Sequence, residues 1–354
     1  FLCKRMTSNR LFYPISSLVF FHNLAFSHWL MAGRAYRTLN ALMAGYSFML
    51  GAATHRSFST PMPVAVSAEL TNHCILQCPE CPTGSGTLTR EKGFMDVELF
   101  KKIISEAGPY LYYINLYFQG EPMLHPGFFS FIALAGKIRT IVSTNGHFLS
   151  VENSQKLARS GLYKLIVSLD GMDQRSYSSY RVGGDLEKVL EGLKNISSAI
   201  KTNNSSLKLE IQYLVNNKTE MGIEPGRKFA RDINASFRLK SMQVSAISRA
   251  GEWMPVNKRF RRYEKINGNY SIKSSLPDRC LRLVLNPVIT WDGKVIPCCF
   301  DKDARYVMGD LARESFRSIW HGALYSDFRE RILTERSNTD ICRNCTSGLR
   351  GVIY

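Results

Sequence analysis

Cys74-Ile75-Leu76-Gln77-Cys78-Pro79-Glu80-Cys81 places three cysteines within eight residues, behind the alternating residues 64–70 and ahead of the small-residue run Pro82-Thr83-Gly84-Ser85-Gly86. Soft thiolates favour iron–sulfur clusters, zinc or copper(I), so number and spacing decide among them. A structural zinc site takes four ligands, usually as two close pairs. This loop offers three, spaced C-x3-C-x2-C. Such a loop can wrap three corners of a cubane [4Fe–4S] cluster and leave the fourth iron open. A zinc site completed by His73 is the alternative.

Working outward, residues 64–70 read as a strand with the cysteine loop at its C-terminal end. Asp96 is the expected N-cap of a helix running to about Glu106, with Leu99, Ile103 and Ile104 on one face. Further strands are expected at 112–118, 139–143, 164–169, 207–215 and 237–244. Helices are expected near 151–160, 186–200 and 226–233. Gln119-Gly120-Glu121-Pro122, Thr144-Asn145-Gly146 and Asp170-Gly171 all fall at strand ends. Strand and helix alternate through six strands with short connections, which predicts an α/β fold: a partial (β/α)6 TIM-like barrel built on a parallel sheet with right-handed crossovers. Chemistry in such folds sits at the C-terminal strand ends, where these signatures can converge.

Residues 246–278 read as a basic linker or irregular helical segment, with Arg249, Lys258, Arg259, Arg261, Arg262 and Lys265. A small C-terminal α+β domain, a β-hairpin plus a helix, is expected at 279–350. The hairpin pairs 283–290 with 294–298 through Trp291-Asp292-Gly293. A single helix then carries the stripe Phe316, Ile319, Trp320, Leu324, Phe328 and Ile332. The second cysteine group, Cys280, Cys298, Cys299, Cys342 and Cys345, lies in this region. Four thiolates suit a structural zinc ribbon as well as a cluster. Cys299 is the spare, because neighbouring strand residues point to opposite faces. Asp301 is placed to take a proton or to form a salt bridge or turn.

Nine cysteines in 354 residues do not make a disulfide scaffold, and all but Cys3 fall in these two groups. That points to metal or cluster binding in a reducing compartment, and so to a cytoplasmic location. The formal net charge is +17, and residues 1–68 contain no Asp or Glu but hold Lys4, Arg5, Arg10, Arg34, Arg37 and Arg56. Such an acid-free run, residues 1–60 of the expected domain plan, reads as a targeting segment or a helix on an anionic membrane surface. Pro14 to Gly33 has the length of a span but contains His22, Asn23 and His28, and it is not read as transmembrane. Tyr36, Leu39, Leu42, Met43, Tyr46, Met49 and Leu50 recur at helical spacing. This stripe is expected to pack on the main domain, with peripheral membrane contact as the alternative. The chain opens on Phe, so its first thirty or so residues are read either as native or as an extension.

C-x3-C-x2-C after a first strand, with Gly120-Glu121-Pro122 after the second, resembles the radical S-adenosylmethionine (SAM) superfamily over residues 63–245. The resemblance implies that Cys74, Cys78 and Cys81 hold a [4Fe–4S] cluster whose open iron chelates the amino and carboxylate groups of SAM. Reductive cleavage would then yield methionine and a 5′-deoxyadenosyl radical that abstracts hydrogen from a substrate. Gly120, Glu121 and Pro122 match the segment that receives the SAM amino group. Thr144 and Asn145, with Ser168 and Asp170, match segments lining the ribose and methionine ends, and Arg181 and Gln212 are weaker candidates. Glu80 departs from the family, which often has an aromatic residue there, so Ile75 becomes a candidate for adenine packing. The C-terminal spacing resembles the Twitch domain, a shortened SPASM domain, which implies an auxiliary [4Fe–4S] cluster on Cys280, Cys298, Cys342 and Cys345. Relatives with this layout oxidise alcohols or modify peptides, so a small-molecule or peptide substrate is implied. Flavodoxin or ferredoxin would donate the electron. No RNA-binding module is recognisable and no nucleic-acid partner is expected. A protein that only binds peptide or carries electrons is the alternative from another class.

Overall fold

The computed structural model describes residues 32–58, 60–345 and 347. Cys3 and the possible extension lie outside them. Six parallel strands follow one another in chain order: β1 Ala65–Ala68, β2 Tyr113–Asn115, β3 Arg139–Thr144, β4 Lys164–Ser168, β5 Lys208–Val215 and β6 Ser236–Ser241. Helix α1, Ala32–Thr54, precedes them. Helices α2 Pro82–Ser85, α3 Val97–Ala107, α4 Phe128–Leu134, α5 Val151–Arg159, α6 Gln174–Tyr180, α7 Leu186–Thr202 and α8 Ile223–Asp232 connect them. The starts are chemically marked. Asp96 accepts from Glu98 N and Leu99 N, Ser150 from Asn153 N, and Asp185 from Lys188 N. Each thereby satisfies a donor that the helix leaves unpaired.

Alternation along the strands separates two faces. Val66, Ala68, Ile114, Val142, Leu165, Val167, Leu209 and Ile211 join the helices in the main apolar core. The opposite face is polar. Asn115 Nδ2 donates to Ser67 Oγ at 2.9 Å, Ser67 Oγ donates to Asn286 Oδ1 at 3.2 Å, and Lys164 pairs with Glu210 at 2.8 Å. β1 and β6 are not neighbours, so the curl is a partial barrel. The gap on the β1 side is occupied by β9, Val288–Ile289, which pairs with β1 in parallel. β10, Lys294–Ile296, and β11, Gly309–Asp310, continue antiparallel, making one nine-stranded sheet. The C-terminal hairpin is thus an extension of the barrel sheet.

Four expectations are corrected. The basic linker contains a hairpin, β7 Tyr263–Ile266 with β8 Asn269–Ile272, turned by Asn267-Gly268, both at positive φ. That dipeptide is a strong two-residue turn signal, masked by the surrounding charge. The first arm of the C-terminal hairpin begins as helix, α9 Leu281–Leu285, and the ladder begins only after Pro287, whose carbonyl accepts from Ser67 N. The single helix is two, α10 Phe316–His321 and α11 Ala323–Glu335, because Gly322 is extended between them. The phase shift exposes Leu324 and buries Tyr325 instead. Finally, most of the stripe on α1 does not pack on the domain, although Tyr36, packed near Tyr110, and Leu50 are half-buried. Leu39, Leu42, Met43, Tyr46 and Met49 are exposed, while Asn40, Ala44 and Gly51 face inward. Asn40 anchors that inner face by donating to Met62 O at 2.7 Å.

Candidate functional site

The cysteine loop lies between the C-terminal ends of β1 and β2 and is closed by backbone. Glu121 N donates to His73 O at 2.7 Å, and Gln77 N donates to Val182 O at 2.9 Å. Gly120 has φ +74°, and a Cβ there would stand 2.6 Å from Thr71 O, so only glycine allows this approach. Gly84 is pressed as closely on Cys78 N, at 2.5 Å from an added Cβ. Cys74, Cys78 and Cys81 share one apolar cluster with Leu76, Tyr180 and Met242. Leu76 N donates to Cys74 Sγ at 3.4 Å, and Arg181 Nη1 reaches Cys78 Sγ at 3.8 Å. Burial pushes the Cys74 thiol up and the Cys78 thiol up to about 11, with the Arg181 cation pulling the latter back.

Among the described residues, no three His, Cys, Asp or Glu side chains lie close enough to hold a single metal ion. A cubane spaces its thiolates more widely than one tetrahedral ion does, so three convergent, desolvated cysteines beside a cation fit an anionic cluster better than zinc. The zinc alternative also needs His73, whose ring is instead stacked on Phe94 at 4.8 Å.

The strand-end residues gather around this loop, but several are already engaged. The Glu121 carboxylate accepts from Met123 N, Thr144 Oγ1 and Asn145 N at 3.1, 2.8 and 2.7 Å, which ties the β2 turn to the end of β3. Burial raises its pKa to about 7. Thr144 is consumed in this bracing, and it also accepts from Gly146 N. Asn145 is different. Its Oδ1 accepts from His147 N, yet its buried Nδ2 has no partner and is available to a ligand. Asp170 pairs with Arg181 at 2.6 Å and accepts from Leu214 N, so it orients the arginine beside Cys78. Ser168 and Gln212 are register partners on β4 and β5. Pro122 opens a short helical turn behind Glu121.

Glu80, the departure from the family pattern, faces inward. Its carboxylate accepts from Ser245 N at 2.6 Å, Ser245 Oγ at 2.7 Å and Trp253 Nε1 at 3.0 Å, and it lies 3.4 Å from Arg249. Trp253 then packs edge-on against Tyr180. Glu80 therefore ties the cysteine loop to the segment after β6, and the exposed Ile75 remains as the apolar group of the loop. Glu80→Ala will lower stability by about 1–3 kcal/mol for each buried donor left without an acceptor. Glu80→Gln, which keeps one carbonyl acceptor, will fall between the two proteins. Urea midpoints measure the difference, and equal midpoints for Ala and wild type would remove this role.

The second group also converges. The charges of Cys280, Cys299 and Cys345 act on Cys298, whose thiol burial raises well above its ordinary value. Cys342 is pushed up to about 12 by burial and by Cys345. Two arginines escaped sequence reading. Arg282 Nη1 donates to Cys299 Sγ at 3.4 Å, and Arg336 Nη2 to Cys345 Sγ at 3.5 Å. Adjacency to Cys280 was a signal for Arg282, whereas nothing local marks Arg336. Asp301 is a turn residue, accepting from Arg305 N and Tyr306 N. Lys240 was also missed. It stands two residues before Met242 on the β6 segment, and burial and the Arg262 charge bring its amine down to about 8.

The model of the radical SAM superfamily matches residues 68–209, and that of an iron–sulfur cluster-binding domain, SPASM, matches residues 280–346. The chain belongs to the radical SAM superfamily. This radical SAM chain is 23% identical over 292 residues to the S-adenosyl-L-methionine-dependent 2-deoxy-scyllo-inosamine dehydrogenase of Niallia circulans, covering 80% of this chain and 92% of that protein. It is 29% identical over 140 residues to the mycofactocin maturase MftC of Mycobacterium tuberculosis, covering 39% of this chain and 35% of the maturase. In fold it is similar to Streptococcus suis SuiB bound to S-adenosylmethionine, with a TM-score of 0.60 at 13% identity, over 80% of this chain and 72% of that one. Radical SAM and SPASM domains carry [4Fe–4S] clusters and use SAM, with a further cluster in the SPASM part.

Proposed function

We propose that this radical SAM oxidoreductase dehydrogenates an alcohol or sugar. The observation that carries the reading is the pairing of a three-cysteine loop after β1 with a separate set of four cysteines in the C-terminal region, whose strand β9 pairs with β1. The extent of the likeness to the inosamine dehydrogenase, through both domains, supports oxidation. Cys74, Cys78 and Cys81 would hold the first cluster, and Cys280, Cys298, Cys342 and Cys345 the second. When bound, the first cluster with SAM supplies the hydrogen-abstracting 5′-deoxyadenosyl radical, and the second accepts the electron left on the substrate.

The protein's own groups do the rest. Gly120, with its positive φ, lets the turn reach the cysteine loop, and Glu121 braces that turn while keeping one lone-pair site for the SAM ammonium. Asn145 Nδ2 donates to the ligand. Arg181, held by Asp170, offsets negative charge at Cys78. Ser168 and Gln212 line the same edge. Flavodoxin or ferredoxin in the cytoplasm is the proposed donor. Peptide modification is the second reading, favoured by the likeness to the maturase.

The test is anaerobic reconstitution followed by reduction with SAM. About eight irons per chain and formation of 5′-deoxyadenosine are expected. Sugar alcohols deuterated at the carbinol carbon should pass deuterium into that product, and a precursor peptide should not. A protein holding only zinc, or one forming no 5′-deoxyadenosine, overturns the proposal.

A further inference from the structure

We propose that α1 is a peripheral membrane anchor, which lays its exposed apolar stripe into an anionic lipid surface. Leu39, Leu42, Met43, Tyr46 and Met49 are 43 to 67% exposed, although they recur on one face of a 23-residue helix. Solvent-facing helices ordinarily present polar groups there. The outward aim is fixed by what the other face does. Asn40 donates to Met62 O, Ala44 is fully buried, Tyr36 packs on Tyr110 at 5.3 Å, and His55 Nδ1 lies 2.7 Å from Leu333 O. Rotating the helix to bury the stripe would break all four contacts, so the stripe is left for something outside the domain.

Charge selects the occupant. The helix contains no acidic residue, and none occurs anywhere from Phe1 to Ala68. No carboxylate on the helix therefore opposes an anionic surface, and exposed Arg56 stands just past its C-terminal end. Arg37 instead donates to Pro109 O at 3.2 Å and Gly108 O at 3.4 Å, which adds to the hold on the inner face. An exposed apolar face on an acid-free helix, with exposed Arg56 just past its end, complements anionic headgroups over acyl chains, the pattern of a helix lying in the interface plane. Spanning is ruled out for α1, because no helix among the described residues is long and apolar enough to cross a membrane. Exposed Phe58 lies on the same side of the sequence, and Phe20, Phe21, Phe26 and Trp29 extend the acid-free, aromatic-rich composition upstream. The anchor is independent of the reaction performed in the barrel.

The full chain is to be sedimented with vesicles of phosphatidylcholine alone and of phosphatidylcholine mixed with phosphatidylglycerol. Binding at least about tenfold stronger to the mixed vesicles is expected, weakening as salt rises. Leu42→Ser, Tyr46→Ser and Met49→Ser combined should lose about tenfold of that binding with iron content unchanged and little change in urea midpoint, since these side chains are 63 to 67% exposed. Oxidative footprinting supplies the local readout: Met43 and Met49 should react readily in free protein and be protected by mixed vesicles. Absence of vesicle binding, or equal binding by the triple variant, overturns the proposal. Protection of both methionines without lipid overturns it in favour of residues 1–31 as the cover, and a dimer that the triple variant dissolves overturns it in favour of a second copy.

Discussion

Cys78→Ala will reduce 5′-deoxyadenosine formation to background and lower the iron content from about eight to about four per chain. Cys78 is the most enclosed of its group, 4% exposed, with Arg181 beside its sulfur and the short helix after Cys81 pressed on its backbone. Alanine fits that backbone, so the loop keeps its hydrogen bonds, including Cys81 N to Cys78 O at 3.1 Å. What is lost is one of three thiolates, and two cannot hold a cubane that needs a free corner for SAM. The second cluster should survive, since the backbone ladder that joins barrel and C-terminal domain does not pass through Cys78. Ser67 pairs with Val288 and Ala68 with Ile289, with Ser67 N to Pro287 O and Glu69 N to Ile289 O closing the ladder. Cys342→Ala should give the reciprocal result, sparing SAM cleavage. Iron and sulfide counts with electron paramagnetic resonance measure both. Loss of all iron in either variant would mean that the sites do not assemble independently.

What was legible in the sequence was local chemistry. Asp96 could be placed at a helix start because a capping oxygen acts within three residues. The six barrel strands were legible because parallel strands between helices read as apolar runs. β6 ended early, at Ser241, because Val244 N donates to Tyr263 OH, a partner nineteen residues away. The stripe on α1 was correctly periodic, yet periodicity says that a face is apolar, not what covers it. Glu80 looked like a defect in the cysteine motif until the structure supplied Ser245, Trp253 and Arg249 from more than 160 residues away. The strand-end candidates were named as a set, but their separate duties depend on pairings that spacing does not carry. Thr144 and Asp170 brace, while Asn145 has a free donor.

Arg336→Met will cost the second cluster, leaving about four irons per chain, and destabilise the protein by about 3–5 kcal/mol. Arg336 is fully buried, and its backbone N donates to Asp278 Oδ1 at 2.9 Å. Its Nη1 donates to Pro277 O and Arg279 O at 3.1 and 2.6 Å, and its Nη2 to Ser347 O at 2.9 Å and to Cys345 Sγ. One planar fork thus clamps the segment entering Cys280 to the segment leaving Cys345. Burial works against its charge, but Cys280, Cys345 and Cys342 together more than offset this and raise its pKa. Methionine fills much of the volume and supplies no donor, so three carbonyls each lose a hydrogen bond, Pro277 O keeping only Arg279 N, and the thiolates lose their buried counter-charge. Arg336→Lys should rescue only part of the iron, because a point charge replaces the fork without spanning all three carbonyls. The local prediction is separable from general unfolding: SAM cleavage should persist in Arg336→Met at temperatures where the barrel remains folded. Retention of about eight irons would show that the C-terminal cysteines close on their cluster without the clamp.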